Sequence, residues 1–460
     1  MHLARLIGPE LEQLLSENPA EVRELLSEIH PADIAELLSE LSDERAAQLL
    51  MELPPEYAAQ VFEHVNENRQ GTFAKRMGVE STTLIAAEME ADDRADFFSN
   101  LPPALQKPIL ANLERIDPEA AEEVEELNRW SDHSAGGLMT TEFVAVAPHF
   151  TINDAIEEIR SRAQDAATID PVYVVADNER LLGLLTLRDL FLARPRQVVS
   201  AVMHEHVISV PPDMDQEEVA KQLAKYDFST MAVVGSDGRM LGVITSDDIL
   251  DVVHQEQAED VQKMGAMAPI EQGYFDASFS TYIKKRAPWL AVLFIGGFFT
   301  TTAMKHFDGI LRALTHIAFY VPLLISAGGN SGSQSSTLVI RGLAVGEVQS
   351  KDFLRVLRRE LAQGVALGIM LAGFGVLRVA IAGDGVAVAA LVALTLIGIV
   401  VMGCVVGGML PLFLHKLGLD PATSSAPFIA TLVDVLGILI YLNLAQHILL
   451  PHLVAIPATH

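Results

Sequence analysis

The segment Val172–Leu190, VYVVADNERLLGLLTLRDL, recurs as Met231–Ile249, MAVVGSDGRMLGVITSDDI, at a constant offset of 59 residues. Gly183 meets Gly242, Thr186 meets Thr245, and Asp189 meets Asp248. Each copy reads as strand, turn, strand and then Thr-x-x-Asp at the start of a helix. An amphipathic stretch precedes each copy, DAIEEIRSRA and EEVAKQLAKY. The Thr and Asp suit helix capping, because their short polar side chains bond the free amides of a first turn. A duplicated α/β module therefore sits mid-chain.

This module resembles a tandem cystathionine β-synthase (CBS) pair. In that family the Thr and Asp of G-h-T-x-x-D can hold the ribose and phosphate of an adenine nucleotide. The resemblance implies Thr186, Arg188, Asp189 and Phe228 as ligands for ATP or a related nucleotide, with Thr245 and Asp248 in the second copy. Pro171 stands where ATP-binding members can offer an aromatic ring to the adenine.

Upstream, apolar residues recur every twelve positions at Ile29, Leu41, Leu53, Val65, Met77, Met89, Leu101 and Leu113. Twelve residues hold one short helix and a turn, and the Ser, Pro and Asp residues that often follow are N-cap and N1 chemistry. No such unit buries its apolar face alone, so successive helices should stack as a small right- or left-handed solenoid.

The chain has 460 residues, half of them hydrophobic, with 60 acids against 32 bases. Its mean hydropathy is +0.30. Residues 271–460 hold 9 acids and 12 bases, so residues 1–270 hold 51 and 20, a net charge of −31. The chain is an acidic half followed by a membrane half. That charge repels nucleic acid, whose phosphates need clustered Lys and Arg, and favours cations as partners. The one cysteine, Cys404, excludes intramolecular disulfides. The N-terminus lacks the basic, apolar and small-residue succession of a signal peptide.

Five apolar segments are long enough to span a bilayer, at about 286–305, 311–328, 361–382, 386–414 and 427–450. Alternate loops place nine bases on the N-terminal side (Lys284, Lys285, Arg286, Arg341, Lys351, Arg355, Arg358, Arg359, Lys416) and three on the other (Lys305, Arg312, Arg378). The acidic half is therefore expected in the cytoplasm and the C-terminus outside.

Two stretches break the apolar rule. In YVPLLISAGGNSGSQSST, a helix bent at Pro322 is expected to run into a pore or binding loop of Gly328, Gly329, Asn330, Ser331, Gly332 and Gln334. Irregular backbone at that depth must be buried in protein or line a wet cavity, although small residues also mark close helix packing. In GLDPATSSAPFIATLVDVLGIL, Asp434 lies roughly 10 Å into the last helix at ~1.5 Å per residue. It reads as the only carboxylate deep within a span, which calls for a substrate cation or a basic partner. Asp420 reads either as a cap for the following helix or as an ion receiver at the pore mouth. Between the halves, DILDVVHQEQAEDVQKMG reads as one helix with Asp248, Asp251, Glu256 and Glu259 on roughly one side.

In order, the acidic helical repeat, the CBS pair, the acidic connecting helix, PLLISAGGNSGSQSSTLVIRGLA and LDPATSSAPFIATLVDVLG resemble the MgtE family of magnesium channels and transporters. The resemblance covers about residues 20 to 450 and implies a multidomain membrane protein. Its parts are an all-α N-terminal superhelical domain (1–130), an α/β tandem CBS pair (131–200 and 201–252), a connecting plug helix (253–283) and a five-helix all-α transmembrane domain (284–460). It implies a homodimer in the cell (inner) membrane, with a pore formed between subunits by the second and fifth membrane helices. Asp434 would be the selectivity carboxylate, with Gly328, Gly329, Asn330 and Asp420 lining or flanking the path. It further implies that cytoplasmic Mg2+ closes the pore by binding between the N-terminal domain, the CBS pair and the plug. The matching positions are Asp92, Asp96, Asp215, Glu217, Asp227, Asp248, Asp251, Glu256, Glu259 and Asp260. Ala426 stands where some members have Asn near the pore.

The same architecture would carry another divalent ion such as Co2+, Mn2+ or Zn2+, since oxygen ligands accept any hard cation of suitable size. A CBS-bearing intramembrane protease is the remote alternative to a non-enzymatic channel: NSGSQSS offers serines, but no HExxH signature accompanies them.

Overall fold

The structure, a computed structural model, describes residue 23 and residues 25–454 apart from 165, 271 and 276. The chain divides into two compact units, 1–254 and 255–460.

From Pro31 on, the first unit runs through eight helices: α1 (Pro31–Glu40), α2 (Asp43–Glu52), α3 (Pro55–Glu63), α4 (Glu67–Met77), α5 (Val79–Ala87), α6 (Ala91–Asn100), α7 (Pro103–Ile116) and α8 (Pro118–Leu127). The first seven begin twelve residues apart, as the repeat predicts, and prolines open α1, α3, α7 and α8, where a missing amide costs nothing. The repeat residues from Leu41 to Leu113 are buried in one core with Phe62, Phe73, Phe97 and Phe98. Phe62 meets Phe97 edge to face at 5.3 Å, the geometry that aromatic quadrupoles favour.

The duplicated module forms two three-stranded sheets. One orders β1 (Phe143–Val146), β2 (Thr168–Val175) and β3 (Leu181–Leu185); the other orders β4 (Ser209–Val210), β5 (Thr230–Val234) and β6 (Met240–Thr245). In each, the first pair is parallel and the second antiparallel. The helices are α9 (Ile152–Arg162), α10 (Leu187–Leu192), α11 (Gln216–Tyr226) and α12 (Ser246–Met264). The paired glycines have a common cause. The segment before each copy crosses to the other copy's sheet, so Thr140 bonds Val243 and His204 bonds Leu184. A Cβ at Gly183 would lie 2.8 Å from the His204 carbonyl oxygen, and one at Gly242 would lie 2.5 Å from that of Thr140. Only glycine admits that approach.

In the second unit, α13 (Phe279–His306), α16 (Phe353–Ala382) with the 3-10 turn before it (Ser350–Asp352), α17 (Val386–Lys416) and α18 (Ala426–Val454) contain the four candidate membrane spans among the described residues, which run Phe279–His306, Ser350–Ala382, Val386–Lys416 and Ala426–Leu449. The short α14 (Asp308–Ala313) and a 3-10 turn (Thr315–Tyr320) lead to α15 (Val321–Ala344).

Here two expectations are corrected. The segment 311–328 is not one span, and Gly328–Gln334 is not a loop: α15 runs unbroken through both glycines, with Pro322 in its first turn rather than at a bend. Tertiary packing explains this. A Cβ at Gly403 would lie 2.5 Å from the Gly328 oxygen, and one at Gly407 would lie 2.1 Å from the Gly332 oxygen. Two small-xxx-small pairs thus press backbone to backbone between α15 and α17. The segment expected from 361 also starts earlier, at Ser350, with its α-helix from Phe353, which brings Glu360 inside the helix.

The close approach gives a direct expectation. Gly407→Ala overpacks the α15–α17 contact and costs about 1–3 kcal/mol, read as a lower unfolding temperature in detergent. Gly373→Ala, where a Cβ meets nothing within 4 Å, should change it little.

Candidate functional site

In the second unit, α15 and α18 pack together, with Gly329 against Ala430 and the Ser333 hydroxyl donating to the Ala426 carbonyl at 3.4 Å. The residues of α15 sort by face. Gly328, Gly329, Ser331, Gly332, Ser335 and Ser336 are buried, whereas Ser326, Asn330, Gln334, Thr337 and Arg341 are exposed. The spacing of three or four residues puts those five on one side, a polar stripe along a helix flanked by apolar ones. Asn330 therefore faces outward while Gly328 and Gly329 serve packing. Asp434 is part-buried near the start of α18. Among the described residues no hydrogen bond or ion pair reaches its carboxylate.

Asp434 is not alone, however. Glu360 is 4 % exposed and its Oε2 has no partner among the described residues. It packs on Gly408, where an added Cβ would meet its Cγ at 2.7 Å. A span drawn from 361 leaves Glu360 just outside, whereas the helix begins at Phe353.

At the α18 entrance, Asp420 accepts the Ala422 amide at 2.8 Å, the expected cap, and its other oxygen lies 2.6 Å from the Lys263 ammonium at the end of α12. Lys263 also pairs with Glu259. The capping reading of Asp420 is met at the 3-10 turn Pro421–Thr423, and the oxygen that would receive an ion at the pore mouth is paired with Lys263. Glu256 and Asp260 lie on the same last turns of α12.

The first unit holds the second cluster. A cavity of about 710 Å³ is lined by Glu63, Glu90, Asp93, Asp247, Asp248 and Asp251, together with His30, His64 and Asp170. Burial and mutual repulsion raise Glu63, Glu90, Asp93 and Asp248 in the lining, and Asp92 and Asp96 beside it. Asp93 is pushed up to about 8 by burial, then Glu63 and Asp248. Asp96 reaches about 7 by burial, then Glu67 and Asp132. Asp248 reaches about 6 by burial and Asp247, despite bonds from Thr245 that favour its charge. Asp92, with one buried oxygen unpartnered among the described residues, is raised well above the usual range by burial and Asp248. Arg94 already neutralises one flank. It is 2 % exposed, bonds Glu123, donates to the Met89 carbonyl at 2.7 Å and lies 4.0 Å from Glu142.

Of the expected ion ligands in this unit, Asp92, Asp96, Asp248 and Asp251 thus belong to one acidic region. Asp215, Glu217 and Asp227 do not line the cavity. Asp215 caps α11, Glu217 pairs with Lys221 at 3.0 Å, and Asp227 ends α11 in a left-handed conformation (φ 53°). Glu63, Glu90, Asp93 and Asp247 went unread. Glu90 carried a signal: it fills the N-cap slot of its repeat, where Ser42, Asn66 and Gly78 stand in others, and makes no side-chain cap bond. Among the described residues no three His, Cys, Asp or Glu side chains stand in direct ligating geometry for a metal.

The nucleotide candidates are engaged locally. The Thr186 hydroxyl donates to Asp189 Oδ2 at 2.6 Å, and that carboxylate also takes the Thr186 amide at 2.9 Å and His204 Nε2 at 3.0 Å. Arg188 is exposed, and Phe228 stacks on Tyr226 at 5.5 Å.

Comparison with known proteins agrees with this division of the chain. The profile described as a divalent cation transporter matches residues 321–444, and that of the MgtE intracellular N domain matches 29–133. CBS domain profiles match 135–196 and 199–255. The chain is 39 % identical over 444 residues to the magnesium transporter MgtE of Thermus thermophilus, covering 95 % of this chain and 98 % of that one. The chain belongs to the MgtE family. A second MgtE, the magnesium transporter of Bacillus subtilis, is 33 % identical over 374 residues, covering 80 % of this chain and 81 % of its own. Among solved structures, the soluble part of a magnesium transporter is 30 % identical, with a TM-score of 0.51 over 55 % of this chain and all of that one. In this MgtE chain the acidic cavity lies within the N-domain and CBS matches, and Asp434 with the α15 stripe lies within the transporter match.

Proposed function

We propose that this chain is a magnesium-selective channel whose opening is set by cytoplasmic Mg2+. One observation carries the reading. Asp434, without a partner among the described residues, stands on α18, which packs on the small-residue face of α15, the helix that also bears the polar stripe. A lone carboxylate at such depth needs a cation. Magnesium sheds water reluctantly and is held by one or two carboxylates through its remaining waters. In a homodimer with the pore between subunits, two Asp434 carboxylates would hold one hydrated ion. The division at 1–130, 131–200, 201–252, 253–283 and 284–460 assigns the last module to conduction.

The acidic cavity is the proposed sensor. Carboxylates raised toward neutral pH are crowded, and a divalent cation relieves that crowding better than protons do at pH 7. Bound Mg2+ holds the N-terminal domain on the CBS pair and favours the closed pore; its loss lets repulsion separate them. The cytoplasm is the side assigned to residues 1–270 by the distribution of Lys and Arg in the membrane loops. An adenine nucleotide at Thr186, Arg188, Asp189 and Phe228 would have to open the Thr186–Asp189 cap to reach those groups.

The test is Mg2+ influx into proteoliposomes carrying an internal indicator. Influx should fall as Mg2+ is added on the face bearing residues 1–270, and Asp93→Asn with Asp248→Asn should weaken that inhibition by about tenfold in concentration. Influx of Mn2+, Co2+ or Zn2+ in place of Mg2+ would overturn the selectivity while leaving the architecture.

A further inference from the structure

The last turn of α12 reaches Asp420 at the pore mouth through Lys263. Lys263 Nζ lies 2.6 Å from Asp420 Oδ2 and also contacts Glu259 Oε1, one turn back on its own helix. All three side chains are only a quarter to a third exposed. Asp420 is fixed from behind: its Oδ1 takes the Ala422 amide, and its carbonyl takes the Thr423 hydroxyl at 2.7 Å. Oδ2 is thereby left to Lys263. The helix end is fixed too. Gln262 closes a two-bond clamp on Ile270, at 2.8 and 3.2 Å, and the Ala268 amide donates to the Lys285 carbonyl at the start of α13.

We propose that Lys263 is an internal latch: its ammonium holds the connecting helix to the pore mouth when no divalent ion is present, and competes with a divalent ion for Glu259 and Asp420. The inference rests on the reading of Asp420 as a residue of the ion path. Charge arithmetic supports the competition. Two carboxylates and one ammonium leave a net −1, whereas two carboxylates and one divalent ion sum to zero. The ion therefore satisfies this pair more fully than the lysine does. Lysine also suits a displaceable role, since it is a point charge on a flexible stem rather than a rigid bidentate fork. The latch would tether the connecting helix weakly at low Mg2+, without holding the pore shut, and yield to a tighter, ion-bridged closed arrangement as Mg2+ rises.

Hydrogen exchange of the backbone amides of residues 255–264, in the full chain in detergent, separates these claims. In chelator, Lys263→Met should speed exchange about tenfold, the factor of ~1.4 kcal/mol, while Lys263→Arg should keep the protection. Adding Asp420→Asn to Lys263→Met should add nothing in chelator, because the bond is already gone. On titrating Mg2+, Lys263→Met should regain protection at a lower concentration than the unmodified chain, since no ammonium competes. Equal exchange of the unmodified chain and Lys263→Met in chelator would sink the latch. A midpoint for Mg2+ that is unchanged or higher in Lys263→Met would overturn the competition. The chelator arm involves no transport, so it decides the latch even if Mg2+ flux or its inhibition fails to behave as proposed.

Discussion

Asp434→Asn should abolish Mg2+ influx while leaving the protein folded and, in a thermal scan, at least as stable as the parent. The two readouts move in opposite senses for one reason. A carboxylate at the centre of a spanning helix costs about 2.5–3.5 kcal/mol on insertion scales, and no hydrogen bond or ion pair among the described residues offsets it for Asp434. An amide of the same shape removes that cost and with it the charge that would hold a hydrated ion. A structural role would give the reverse, with lower stability and flux lost only through misfolding. Influx through Asp434→Asn within a factor of about two of the parent would remove Asp434 from the path; a change of this size is well under 1 kcal/mol. Glu360→Gln provides the contrast. Glu360 is buried against Gly408 rather than beside the polar stripe, so its substitution should spare the ion selectivity that Asp434 sets.

The second large effect concerns pH. Asp93, Asp96, Asp248 and Glu142 reach about 8, 7, 6 and 7 in the folded chain, whereas carboxylates in an unfolded chain titrate near 4. The folded state therefore binds more protons than the unfolded one between those limits, and stability falls as pH rises. Their contribution is fully present below about pH 4 and is lost as pH rises through about 6 to 8. In chelator, the first unfolding transition of the full chain should drop steeply from pH 6 to pH 8. Saturating Mg2+ should flatten that slope by replacing the missing protons with a bound cation. Asp93→Asn with Asp248→Asn should flatten it without any metal. A slope insensitive to both Mg2+ and these substitutions would separate the acidic cavity from ion sensing.

Much of this molecule was legible because its signals are local. The twelve-residue beat from Ile29 to Leu113 states helix length and turn in every repeat, and the helices start where it says. The duplicated Gly, Thr and Asp positions announced two equivalent sheets, and the capping role of Thr186 and Asp189 followed from side-chain chemistry alone. The ion-sensing acids were only half legible. Asp92, Asp96, Asp248 and Asp251 stood out through a family pattern, but Glu63, Glu90 and Asp247 join them only because α3, α6 and α12 converge on one cavity. A sequence lists charges without saying which of them share a space.

By itself the sequence determined the modular order: acidic helices, a paired α/β module, a charged connecting helix and apolar spans. Each of these depends on periodicity within one or two turns. Tertiary structure alone decided three things. It made the glycine-rich stretch a helix, because Gly403 and Gly407 on α17 leave room only for an equally bare backbone at Gly328 and Gly332. It turned the mixed residues of that helix into a buried small face and an exposed polar stripe. And it brought Lys263 to Asp420, far apart in the sequence, where an attraction between charges depends on distance in space and not along the chain.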